Sequence, residues 1–161
     1  SKFGLVPADD PKDGTRMGKL REAALSLAEV AKGSKGTAAV YAWMESADAW
    51  DRANEPSQQL SALEQAQAEA QGGLMEWSAV SQLAIYHSNQ GDHAKSVGLL
   101  RDFADKNKNY LGEQSLFQLA LVHEESGSIE ESQKTLADIQ TLYPESALLV
   151  RVAEMQQRLG G

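Results

Sequence analysis

The chain has no cysteine, only four prolines and an aromatic share of 6% in its 161 residues. Without cysteine neither a disulfide framework nor a thiolate metal site can form. The prolines fall at Pro7, Pro11, Pro56 and Pro144, so three long stretches run without that helix breaker. No apolar run reaches the roughly 18–20 residues that a helical membrane span requires. Basic charge is also in deficit: 15 Lys and Arg against 23 Asp and Glu give a formal net charge of −8. Nucleic-acid binding needs a concentrated basic surface, and adsorption to anionic lipid needs a polybasic one, so neither partner is expected of this segment.

What is abundant is helix-forming. Ala, Leu, Glu, Gln and Ser dominate, and apolar residues reach 42%, enough for one domain rich in helices. Residues 1–14 carry Pro7, Pro11, Gly4, Gly14, Asp9, Asp10 and Asp13 and read as a linker or tether. Because the chain opens on Ser1 rather than Met, it reads as a processed or trimmed form, from which a signal peptide or membrane anchor upstream of residue 1 could have been removed. From 15 to 32, Met17, Leu20, Ala24, Leu27 and Ala31 recur at helical spacing until Gly33 and Gly36 end the run. Helices are predicted over 37–54 and 58–71, with Ser57 as the cap of the second, and over 74–90, with Asp92 capping the next. Two more follow over 110–126 and 128–143 before Pro144, and a last one over 146–159 presents Leu148, Leu149, Val152, Met155 and Leu159 on one flank.

Leu83-Ala84-Ile85-Tyr86-His87 with Gly91 is matched 36 residues later by Leu119-Ala120-Leu121-Val122-His123 with Gly127. Extending the register backwards brings Trp43, Val80 and Leu116 into line, then Ala47, Ala84 and Ala120, then Trp50, His87 and His123, and at the turn Asn54, Gly91 and Gly127. In the second helices Leu63, Leu100 and Leu136 align, as do Ala66, Phe103 and Ile139. A period in this range marks units that cannot bury their apolar faces alone and stack on their neighbours. Leu27 and Val30 precede Leu63 and Ala66 by the same 36 residues, so 15–32 reads as an orphan half-repeat or capping helix.

The large–small–aromatic order of Trp43, Ala47 and Trp50, echoed in the two later copies, resembles the tetratricopeptide repeat (TPR) family. Pro144 sits where that family ends a repeat. The family's alanine early in the second helix is Gln59, Ser96 and Ser132 here, and the period exceeds the usual ~34 residues, with the extra length expected in connections such as 106–112. The resemblance covers 37–144. It implies an all-α fold, a right-handed α-solenoid of antiparallel helix pairs with about eight helices. Repeats are expected at 37–71, 74–108 and 110–144, within a single domain from 15 to 159 that 146–159 caps.

Chemistry is sparse. His87 and His123 occupy equivalent positions, and equivalent positions in stacked repeats lie too far apart to share an ion, so packed, hydrogen-bonded histidines are expected, with no metal and no cofactor. The carboxylate pairs Glu124-Glu125 and Glu130-Glu131 have no nucleophile beside them, and the glycines punctuate helices without forming a phosphate cradle. The tryptophans Trp43, Trp50 and Trp77 read as packing residues. No enzyme is expected.

In the TPR family the first helix of each pair lines a concave surface, which implies a partner-binding groove of Tyr41, Met44, Asp48, Asp51 and Arg52, then Ser78, Ser81, Ile85, Ser88 and Asn89, then Gln114, Phe117, Leu121, Glu124 and Glu125. Met44, Ile85, Phe117 and Leu121 would make a continuous apolar strip with an acidic rim, suited to a protein or peptide segment carrying apolar anchors and some basic charge. The alternative is that a terminal helix of the same chain, or a second copy in a homodimer, covers it. The expected function is a noncatalytic adaptor. Its layout is similar to bacterial envelope TPR proteins such as the ancillary Sec translocon subunit and cell-division coordinators, which favours the periplasm or a membrane-anchored envelope assembly over the cytoplasm.

Overall fold

A computed structural model describes residues 11–160, with side chains from Gly14 onward. Eight helices follow one another among these residues: α1 (Pro11–Lys32), α2 (Gly36–Arg52), α3 (Pro56–Glu69), α4 (Gly73–Asn89), α5 (His93–Lys106), α6 (Gly112–Glu125), α7 (Ile129–Leu142) and α8 (Leu149–Gly160). They form two compact units, α1–α3 and α4–α8. Most of the expected linker, residues 1–10, lies outside the described residues, and its end is helical from Pro11. Proline's missing N–H costs nothing in the first turn of a helix, and this displaces Ser57 as the cap of α3. Pro56 takes the first turn, and Glu55 stands at the N-cap with no side-chain hydrogen bond.

The first unit is built on alanine. Ala24 and Ala31 of α1, Ala39, Ala42, Ala47 and Ala49 of α2, and Ala62 and Ala66 of α3 are buried, with Val40, Trp50 and Leu63 supplying bulk. Small side chains let helix axes approach closely. Ser46 of α2 uses that proximity, donating from Oγ to the carbonyl of Ala24 at 2.8 Å. Val30 does not share the buried place of Ala66 that the 36-residue spacing assigns it. It is exposed, as is Leu25, because the face that α1 turns to α2 is the Ala24–Ala31 stripe.

The second unit has the larger core. Leu100, Leu119, Leu136, Ile139 and Val152 are wholly buried, and Trp77 packs on Phe103 with ring centroids 5.2 Å apart. Within it α4 pairs with α5, α5 with α6, α6 with α7 and α7 with α8. The lengthened connection 107–111 is held by Tyr143, whose hydroxyl donates to the carbonyl of Lys108 at 2.9 Å. Gly112 opens α6 beneath that hydroxyl, where a Cβ would sit 2.5 Å from it and 2.6 Å from the Asn107 carbonyl oxygen.

The repeat extends to the backbone. Asn54, Gly91 and Gly127 all adopt positive φ, at 58°, 80° and 80°. The amide after each turn reaches back to the residue aligned in register: Glu55 to the carbonyl of Trp50 at 2.9 Å, Asp92 to His87 at 2.8 Å and Ser128 to His123 at 2.8 Å. With the bonds of shorter sequence span, Asn54 to Asp51, Gly91 to Ser88 and Gly127 to Glu124, each is a Schellman closure. Asp92 also caps α5, accepting from the Lys95 amide, and this bond holds its carboxyl below the ordinary value of 3.8.

Candidate functional site

The outward face of α4 and α6 carries the candidate site. Ile85 and Leu121 occupy equivalent positions and are exposed by 44% and 39%. Gln118 sets the two helices side by side: its Nε2 donates to the Ser81 carbonyl at 3.1 Å, while Ser81 Oγ donates to its Oε1 at 2.7 Å. Ile85, Gln118 and Leu121, with Ser88, Asn89, Gln114, Phe117, Glu125 and, from the far side, Leu148 and Arg151, line a groove of about 420 Å³. That is within the usual size range for a binding cleft.

Four expected groove residues have different roles: Ser81 is spent in the pairing with Gln118 and does not line the groove. Ser88 is buried, bonded through Oγ to Ser96 Oγ at 3.0 Å, and its hydroxyl is spent between α4 and α5. Phe117 is only 8% exposed, because the Arg151 guanidinium of α8 lies over its ring, 4.7 Å from the centroid. It forms the floor and does not protrude. Glu124 is taken up by Arg158 at 2.6 Å, which leaves Glu125 as the acidic group of the pair that lines the groove.

The first-repeat residues belong to the other unit. There Tyr41 is exposed, Met44 half-buried, and Asp48, Asp51 and Arg52 exposed, with Arg52 3.8 Å from Asp48. Leu148 and Arg151 were not legible as groove residues. Only the packing of α8, through Val152 and Met155 and the reciprocal amide pair of Gln140 with Gln156, brings them to this face.

The histidines diverge despite their shared register. His87 is half-buried, its ring edge-on to Tyr86 at 5.3 Å. His123 is buried, and its Nε2 has no hydrogen-bond partner, contrary to the satisfied histidine expected. Burial pulls its pKa below 6.5, Glu131 opposes that, and Arg101 adds to it. Among the described residues no group of three or more His, Asp or Glu is placed to hold a metal ion, and no helix is long and apolar enough to cross a membrane.

Helix pairs closed by a repeated turn, a small residue at each crossing and a polar-backed outward face define an all-helical protein of tetratricopeptide-like fold. Solved structures agree. The nearly identical TPR-like repeats of a Podosopora anserina protein assigned as a kinesin light chain superpose with a TM-score of 0.62 at 18% identity, covering 92% of this chain and 82% of that one. MamA (AMB-1) superposes with a TM-score of 0.50 at 16% identity, covering 91% and 84%. At these identities the likeness is one of fold. No family model and no curated protein matches the sequence.

Proposed function

We propose that this protein is a noncatalytic interaction scaffold whose groove on α4, α6 and α8 receives a segment of a partner protein. The observation that carries the reading is the pairing of Ile85 and Leu121, two large apolar side chains left exposed in register over an apolar floor. Contiguous exposed apolar surface of this kind is characteristic of partner contacts. As its setting we propose a bacterial envelope assembly, a reading that rests only on the resemblance of the repeat layout to envelope TPR proteins.

Replacing Ile85 and Leu121 together by serine tests the scaffold reading. Both side chains are exposed, so the fold should survive, and affinity capture followed by mass spectrometry should lose the partner that the unsubstituted protein retains. Retention of the same partner at the same yield would overturn the groove assignment. Phe117 is unsuited to this test, since serine at a buried position would report on stability.

A second reading is self-association, favoured by Leu25 and Val30, which stand 56% and 57% exposed on α1. Mass in solution as a function of concentration separates the two: a persistent dimer that Leu25→Ser and Val30→Ser dissolve supports the second.

A further inference from the structure

The Arg151 guanidinium makes no ion pair and no side-chain hydrogen bond among the described residues, and it lies over the face of Phe117. Arg158, one helical face along α8, is by contrast committed to Glu124 at 2.6 Å. Arg151 is thus an uncommitted cation on the wall of an apolar groove, in a protein of net charge −8. Stacking on a ring uses the flat face of a guanidinium and leaves its N–H edge free, and that edge matches a carboxylate in two parallel hydrogen bonds.

Resting on the groove reading above, we propose that Arg151 selects the partner: the segment that seats an apolar side chain between Ile85 and Leu121 carries a carboxylate beside it. This reverses the charge that the acidic sequence of the rim suggests. Of the two glutamates there, Glu124 is paired with Arg158 at the surface, while Glu125 stands exposed at the end of α6, in no ion pair among the described residues. The ring of Phe117 holds Arg151 against the groove, so less side-chain freedom is lost when it binds. Arg151 is itself exposed, so the strength of such a pair comes from its two parallel hydrogen bonds rather than from burial.

Three octapeptides identical except at one position test this, each with two central leucines followed by Asp, Asn or Lys. Affinity is read by fluorescence anisotropy with the full chain. The Asp peptide should bind about tenfold more tightly than the Asn peptide, the scale of one charge-assisted bidentate contact, and the Lys peptide should bind more weakly still. Arg151→Gln should bring Asp and Asn together, and Arg151→Glu should invert the order in favour of Lys, with unchanged circular dichroism showing that α8 remains folded.

If all three peptides bind the unsubstituted protein equally, the groove stands and the carboxylate preference is overturned. If none binds, or if Ile85→Ser with Leu121→Ser leaves binding unchanged, the groove reading fails and this inference with it. If an Arg151 variant loses helicity, Arg151→Lys decides. It keeps the charge without the planar fork, so a partial loss of the Asp preference supports the assignment, and full retention overturns the bidentate contact.

Discussion

Ser132 donates from Oγ to the backbone carbonyl of Ala120 at 2.7 Å, across the crossing of α7 and α6. Ser96 does the same to Ala84 at 2.6 Å, across α5 and α4. The two serines replace the alanine that the tetratricopeptide pattern places early in the second helix, and the two alanines are the small residues at the crossing. The departure from the pattern is therefore a repeated interhelical bond. The small residue brings the helices close enough for a hydroxyl to reach a carbonyl that already serves its own helix.

Removing the Ser132 hydroxyl leaves no buried polar group unsatisfied, because the carbonyl keeps its helical partner, and Ser132→Ala should lower stability by about 1 kcal/mol. Ser96 Oγ also accepts from the buried Ser88 hydroxyl, so Ser96→Ala strands that donor and should cost more, about 2–3 kcal/mol, both read as a shift in urea midpoint at constant slope. Ser132→Val should cost more, about 1–3 kcal/mol, since the site has no spare volume.

The turn residues offer a second series. Gly91 and Gly127 at φ 80° should each lose about 1 kcal/mol of stability on substitution by alanine. Asn54→Gly should change stability little, because asparagine tolerates the left-handed region better than other side chains, whereas Asn54→Ala should destabilise. Thermal unfolding of the four variants checks the order.

His123 predicts a pH dependence whose sign follows from its burial. Its folded pKa lies below 6.5, so as pH falls the unfolded chain takes up a proton before the folded one does. Between the two values the unfolded state holds more protons, and stability must fall as pH is lowered through 6.5. The fall ends once the folded form is itself protonated. Urea midpoints measured from pH 7.5 to 5 should decline, and His123→Leu should flatten that part of the curve.

Much of the repeat was legible because helical spacing and turn chemistry are local. The spacing of Leu63, Leu100 and Leu136 put each on a buried face, and the alignment of Asn54, Gly91 and Gly127 marked three backbone positions needing positive φ. The half-repeat register failed at Val30, where burial depends on which neighbour a helix packs against. The histidines show the same limit. One register places His87 half in solvent and His123 in the core, because different side chains surround them.

By itself the sequence determined the helices, their pairing and the turns, since each depends on residues within about one repeat of one another. Tertiary structure decided the site. It buried Phe117 under Arg151, bonded Ser88 to Ser96 and Glu124 to Arg158, and brought Leu148 and Arg151 beside Ile85 and Leu121. The groove gathers residues as many as 66 positions apart, Ile85 and Arg151. No spacing rule spans that distance, because what joins such positions is the packing of α8 against the helices before it.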